Sequence, residues 1–233
     1  MPDIVCIYNT GNKTKQSMKI LELFAGSRSI GKEAEKQGHK VFSVDWTNYD
    51  NIDLVIDIEK LNISDVPFVP DMVWASPDCT TYSVAAISHH RDVLLPKTNY
   101  AKKCDLVNIH MHSLIKEWLK INPNLKYYIE NPRGMMHKMP FTKGIPYAVV
   151  WYCKYGDIRA KPTTIFSNNI RNLFNIDGWQ PKQQCFNGNT KCHHESAPRG
   201  STTGTQGKKG SYERSKIPKE LCKEIIKATV NSC

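Results

Sequence analysis

Lys19-Ile20-Leu21-Glu22-Leu23-Phe24-Ala25-Gly26-Ser27 is a strand-length apolar run that stops on small residues. A helical pattern follows from Ile30, and Gly38 is placed to terminate it. A strand that turns through small residues into a helix opens an α/β unit. Such a turn also lets backbone N–H groups approach a ligand at the helix N-terminus. The pattern then repeats. Lys40 to Asp45 reads as a second strand ending on an acid, where a carboxylate can accept hydrogen bonds from ribose hydroxyls. Asp53 to Asp57 reads as a third strand and Asp71 to Trp74 as a fourth. Alternating strands and helices imply a mostly parallel sheet covered on both faces. The glycine spacing is not Gly-x-Gly-x-x-Gly, so nicotinamide binding is not the natural reading.

The fourth strand leads into Trp74-Ala-Ser-Pro-Asp-Cys-Thr-Thr-Tyr-Ser83, where Pro77 and Asp78 force a turn with Cys79 at its tip. Chain leaving a strand end is where α/β proteins place reactive groups. A thiol there is either a nucleophile or a small apolar filler. Residues 83 to 100 read as a long polar loop rich in His, with Arg91 and Lys97 as candidate phosphate contacts. Cys104 to Ile121 has helical periodicity, and Leu125 to Glu130 is its partner strand, stopped by Asn131-Pro132. Ala148 to Cys153 and Thr163 to Phe166 are expected as an antiparallel end to the sheet. Residues 176–213 are rich in Gly, Gln, Asn, Lys, Ser and Thr and read as loop, not core. Pro218 to Val230 reads as a helix that packs back on the core, with Leu221, Ile225 and Ile226 on one face.

The organisation expected is therefore an N-terminal extension (1–17), a core (18–175), a small polar recognition segment (176–213) and a closing helix (214–233). At 233 residues with 40% hydrophobic content, the chain can bury a sizeable core. Apolar runs stay well short of the roughly 20 residues of a membrane span, so no membrane partner is expected. The N-terminus lacks an export pattern and the eight Cys are scattered, which suits reduced thiols in a cytoplasmic setting. Thirty-two Lys and Arg against 22 Asp and Glu give a net charge of +10, which favours phosphate backbones as partners.

Taken together, these short motifs resemble the cytosine-5 DNA methyltransferase family. Leu21 to Gly26 resembles its opening D-L-F-A-G motif, Asp45 its ribose-binding acid, and Asp57-Ile58 the pair that meets the adenine. Pro77-Asp-Cys79-Thr-Thr-Tyr-Ser83 is similar to P-P-C-Q-x-F-S, and Ile129-Glu130-Asn131-Pro132 to the E-N-V motif. Tyr155-Gly156 with Arg159, Lys161 and Thr163 loosely matches Y-G-x-P-Q-x-R-x-R, and Ile217 to Ile225 resembles the closing V-P-P-x-L-A-x-x-I helix. The departures are Glu22 for Asp, Arg28-Ser29 for a Gly pair, and Asp78-Cys79-Thr80 for Pro-Cys-Gln.

The resemblance implies a Rossmann-like fold of the S-adenosylmethionine-dependent methyltransferase type, with S-adenosyl-L-methionine as cofactor. The cofactor residues it implies are Phe24, Ala25, Gly26, Ser27, Asp45, Trp46, Asp57, Ile58 and Pro77. Carbon 5 of cytosine is a poor nucleophile, and a thiolate added at carbon 6 makes it reactive. In this reading Cys79 is the nucleophile, Glu130 engages N3 and the exocyclic amine, and Arg159 or Lys161 steadies the carbonyl oxygen or a phosphate. DNA is the implied partner, double-stranded with base flipping, and the chain is expected to act as a monomer. Two alternatives stay open: a catalytically impaired DNA-binding relative, and an enzyme acting on cytosine in RNA or a free nucleotide.

Cys185, Cys192, His193 and His194 have zinc-ligand chemistry, but their spacing is not a standard finger pattern and adjacent His rarely share a metal. The reading therefore assigns no metal. It treats Lys191, Arg199, Lys208 and Lys209 as part of a DNA-facing lobe.

Overall fold

The computed structural model describes residues 17–84, 86–195 and 210–232; the expected extension other than Ser17, and Arg199, Lys208 and Lys209, lie outside them. The fold is α/β. Seven strands form one sheet: β1 (Lys19–Leu23), β2 (Lys40–Asp45), β3 (Leu54–Val55), β4 (Met72–Ala75), β7 (Lys126–Pro132), β8 (Tyr147–Trp151) and β9 (Pro162–Ser167). Their order is β3-β2-β1-β4-β7-β9-β8. Two further strands, β5 (Arg91–Asp92) and β6 (Leu95–Pro96), pair as a small separate hairpin.

Strands β1 to β4 and β7 pair in parallel, and β9 pairs antiparallel with both β7 and β8. Because β8 opposes β9, it runs with the rest. The expected antiparallel end is thus one reversed strand inserted between two co-directional ones.

The strand residues alternate between two cores, as the two-residue period of a strand requires. Leu21, Leu23, Val73, Ala75 and Ile129 face one side, which helix α3 (Asn99–Ile121) covers with Met111, Leu114, Ile115 and Trp118. Ile20, Met72, Trp74 and Tyr128 face the other, covered by α1 (Ser29–Glu35) and α5 (Lys219–Asn231) through Ile30, Ala34, Leu221, Ile225 and Ile226. Burial on both faces explains why these strands read as continuous apolar runs.

Helix α3 starts earlier than its periodicity indicated. Thr98 caps it by accepting from the Ala101 N–H at 3.1 Å. The segment before it is built rather than loose: a short helix α2 (Ile87–His90) and the β5–β6 hairpin occupy it. Arg91 organises this segment. It is 3% exposed, donates to the Thr81 carbonyl at 2.8 Å, and pairs with Asp105 at 2.6 Å. The expectation that Arg91 meets phosphate is therefore corrected, because its guanidinium is spent inside the protein. Lys97 stays exposed at the surface.

Residues 176–195 are mostly irregular, and the short helix α4 (Ser211–Ser215) follows at 211. One residue there contradicts the reading of this stretch as loop alone. Trp179 is 1% exposed, packs on Tyr128, and donates its indole N–H to Glu224 of α5 at 2.9 Å. No helix among the described residues is long and apolar enough to cross a membrane.

Candidate active site

Parallel strands deliver their ends to one edge, and the residues singled out from the sequence collect there. After β1 the chain turns through Phe24, Gly26 and Arg28, which take φ values of 54°, 48° and 55°. Glycine tolerates this left-handed region without cost, whereas Phe24 and Arg28 are strained in it by about 1 kcal/mol or more each. Arg28 stands where the family has its glycine pair, and its conformation shows why glycine suits that position. The strain is held by side-chain bonds. Arg28 Nε donates to Ser43 Oγ at 2.8 Å, and the guanidinium pairs with Glu35.

Glu22 lies beneath the turn, 1% exposed, and accepts from the N–H groups of Ile30 and Gly31 at 3.1 Å each. Burial pushes its pKa up to about 7 against the lowering pull of these bonds and Arg28. Gly31 gives this carboxyl room, because a Cβ there would lie 2.5 Å from Glu22 Oε2 and force it to shift.

Asp45 ends β2 and spans the turn. Its Oδ2 accepts from Gly26 N at 2.9 Å and its Oδ1 from Thr47 N at 2.8 Å. The Trp46 N–H adds a third backbone donor, which leaves the carboxylate with acceptor capacity for a further one. Trp46 follows with 65% exposure, a flat apolar face beside that acid. Asp57 caps a 3-10 turn through the Glu59 N–H and pairs with Lys103 at 2.7 Å, while Ile58 is buried. Lys103 holds the Asp57 carboxyl below its usual range despite partial burial. Ala25, Ser27 and Pro77 are buried. The set fits a nucleoside-bearing cofactor: an acid for ribose hydroxyls, an exposed aromatic for a base, and a small-residue turn for a tail.

Cys79 sits after β4, partly exposed. Its carbonyl accepts from Tyr82 N at 3.1 Å and Ser83 N at 2.9 Å, which closes the turn. Asn131 Nδ2 donates to the Pro77 carbonyl at 3.1 Å, and Met135 N to the Tyr82 carbonyl at 2.8 Å. The Glu130-Asn131-Pro132 end of β7 therefore grips the cysteine turn from below. Asp78 is turned away from the thiol, accepting from Thr80 N at 2.7 Å and from the Tyr100 hydroxyl at 2.8 Å.

Glu130 is 5% exposed; the Tyr152 hydroxyl donates to its Oε1 at 3.0 Å, and Lys161 Nζ lies 3.6 Å from the same oxygen. Lys161 also stands over the Tyr152 ring, 4.7 Å from the centroid. Desolvation pushes the Cys79 thiol up to about 11; Glu130 and Asp78 add to the rise and Lys161 opposes it. Thiol, carboxyl and ammonium thus form one electrostatic group at the sheet edge.

Arg159 does not join them. It is fully buried, paired with Asp157, and donates to the Arg214 and Lys216 carbonyls at 2.8 and 3.0 Å. Of the two cations left open by the sequence, Lys161 stands at the site and Arg159 fastens α4 and the start of α5 to the turn after Tyr155. Tyr152 and Tyr100 were missed. Tyr152 reads as the end of an apolar strand, and its only signal is a hydroxyl that burial would have to satisfy.

This architecture is a mostly parallel seven-stranded α/β sheet with one reversed strand inserted between two co-directional ones and a glycine turn after β1. The chain is similar to a probable DNA (cytosine-5)-methyltransferase of Frog virus 3 (isolate Goorha), 26% identical over 223 residues spanning 90% of this chain and 99% of that protein. Among solved structures it is similar to the Dnmt2 methyltransferase of S. pombe (TM-score 0.47, 14% identity, 70% of this chain and 53% of that one). It is also similar to the glycopeptide N-methyltransferase MtfA (TM-score 0.39, 11% identity, 65% and 83%). The chain thus spans about half the length of that Dnmt2 chain. No family model matches it.

Proposed function

We propose that this chain is an S-adenosylmethionine-dependent DNA cytosine-5 methyltransferase that works through a covalent Cys79 adduct at carbon 6. The observation that carries the reading is the convergence of Cys79, Glu130 and Lys161 at the edge where the glycine turn, Asp45 and Trp46 also lie. The similarity to the Frog virus 3 protein over nearly the full chain supports cytosine as the base.

S-adenosylmethionine, when bound, supplies an electrophilic methyl group. Phe24 to Ser27, Asp45, Trp46, Asp57, Ile58 and Pro77 would hold it at the strand ends. The Cys79 sulfur forms a bond to carbon 6 of the base, and electron density moves toward N3, where the Glu130 carboxyl hydrogen-bonds the ring and the exocyclic amine. Carbon 5 becomes enamine-like and would accept the methyl group, with S-adenosylhomocysteine as the leaving thioether. Loss of the carbon 5 proton to solvent then expels the thiolate and restores the ring. Tyr152 and Lys161 fix the Glu130 carboxyl in place. Because the thiol starts protonated, its proton leaves to solvent as the sulfur adds, and the Lys161 ammonium favours the thiolate against the rise caused by burial. A base inside a duplex cannot reach Cys79, so flipping accompanies a double-stranded substrate.

The test is trapping on DNA containing 5-fluorocytosine with S-adenosylmethionine, read by denaturing electrophoresis and mass mapping. Fluorine at carbon 5 blocks the final elimination, so a DNA adduct on Cys79 that vanishes in Cys79→Ser is expected. An adduct on fluorinated RNA alone would move the substrate class to RNA. No adduct on either, with cofactor binding intact, would overturn the catalytic reading.

A further inference from the structure

A second cluster of reactive side chains is built from residues that the catalytic reading does not use. Cys153, Cys185, Cys192 and His194 bring three sulfurs and one ring nitrogen all within 4.8 Å of one another. We propose that these four residues bind a structural zinc ion as a Cys3His site.

The geometry suits the metal. Zinc–sulfur bonds of about 2.3 Å in a tetrahedron put neighbouring ligand atoms roughly 3.8 Å apart. Cys185 Sγ and His194 Nδ1 are 3.8 Å apart. Three thiolates with an imidazole favour zinc over the hard cations magnesium and calcium. Binding would release the three thiol protons to solvent. An outer partner is already in place, since Asn189 Nδ2 points at Cys185 Sγ from 3.3 Å, the arrangement that orients a metal-bound thiolate.

The spacing objection falls away once the chain is folded. His193 does not compete with its neighbour, because its Nε2 lies 3.1 Å from the Asp157 carbonyl. The missing fourth ligand comes from outside the segment, from Cys153 on the 3-10 turn that follows β8. No local spacing rule could have found it.

Burial gives an independent argument. Between residues 180 and 195 the residues withdrawn from solvent are Pro181, Cys185, Asn189, Cys192 and His194. Three are the proposed ligands and one hydrogen-bonds a ligand. The apolar alternative is weak, for Phe186 is 60% exposed and the buried satellite cluster holds only Trp151, Cys153, Ala160 and Cys185. A metal would staple this polar segment to the turn that runs on through Arg159 to Lys161.

The full-length protein, purified without chelator, should contain about one equivalent of zinc by mass spectrometric metal analysis. Refilling the stripped protein with cobalt(II) alone should give thiolate charge-transfer bands in the near ultraviolet and strong tetrahedral absorption in the red. Cys192→Ser and His194→Ala, which alter half-buried side chains, should cut metal content to less than about a tenth and abolish that spectrum, and Cys153→Ser should do the same. His193→Ala should keep both. Retention of zinc in Cys153→Ser and His194→Ala would overturn the assignment. So would a reduced wild-type protein that takes up neither zinc nor tetrahedral cobalt, or one whose His193→Ala variant alone loses the metal.

Discussion

Cys79, the proposed nucleophile, lies in a setting that favours its protonated form, and its neighbours determine by how much. Burial pushes the thiol up, Glu130 adds to the rise and Lys161 opposes it, which together leave it at about 11. Alkylation of Cys79 in the free protein should therefore be slow at pH 7 and rise steeply above pH 9, followed by iodoacetamide labelling and peptide mapping. Glu130→Gln should accelerate labelling and Lys161→Met should retard it, each by up to about tenfold per pKa unit moved. Equal rates in all three proteins would detach these groups from the thiol.

Glu22 offers a second test, on stability. The folded chain keeps its proton up to about pH 7 while the unfolded chain releases it near 4.5, so this group's contribution is full below pH 4.5 and is lost as pH rises through 7. His112 works in the opposite sense. Burial lowers its pKa from 6.5 to about 4, so its contribution grows as pH rises across that interval. The two trends largely cancel in the wild type between pH 4.5 and 6.5. Glu22→Gln should leave the His112 trend exposed, and urea midpoints of that variant should rise across this window by on the order of 2–3 kcal/mol in stability. A flat variant would remove Glu22 from the account.

At the scale of elements, the cysteine turn is a strand end held by another strand end. Gly134 makes this contact close: a Cβ there would lie 2.4 Å from the Tyr82 carbonyl oxygen. Its φ of −168° is ordinary, so the requirement is space and not backbone freedom. Gly134→Ala should displace the Cys79–Ser83 turn at a cost of about 1–3 kcal/mol in stability, with a larger loss of 5-fluorocytosine trapping than that cost alone would give. Unchanged trapping would mean the turn is not gripped from β7. Arg91 supports the same turn from above. Arg91→Met leaves Asp105 without its buried partner and the Thr81 carbonyl without its donor, and should lower stability by about 3 kcal/mol, read by thermal melting. These contacts mark the limit of what the sequence could tell. Apolar runs ending on Gly26, Asp45, Cys79 and Glu130 are short-range signals, so the strands and the edge they share were legible. The contacts of Arg159 with the Arg214 and Lys216 carbonyls, of Tyr152 with Glu130 and of Cys153 with Cys185 join residues over twenty or more positions, and local pattern is silent on those.

For the whole molecule, the excess of 32 basic over 22 acidic residues is the property that bears on a polyanionic partner. The structure redistributes that excess. Arg91, Arg159 and Arg28 are buried and paired, so among the described residues the charge left for phosphates sits on exposed lysines such as Lys97 and Lys191 and on the exposed Arg133 and Arg171. Lysine meets phosphate as a flexible point charge, which gives affinity without base readout. Each phosphate neutralised on duplex DNA adds about 0.9 to the negative slope of log K against log salt. A footprint of about four phosphates should then cost roughly a hundredfold in affinity between 50 and 200 mM salt. Fluorescence anisotropy on a mixed-sequence duplex would measure this, and Lys97→Ala should flatten the slope by about one unit while leaving thermal stability unchanged. A wild-type slope near zero would mean that the net charge serves something other than DNA. A normal slope in Lys97→Ala would move the contact off the 87–98 segment and onto the lysines of the 182–191 stretch, which places recognition on the loop that the proposed zinc site holds.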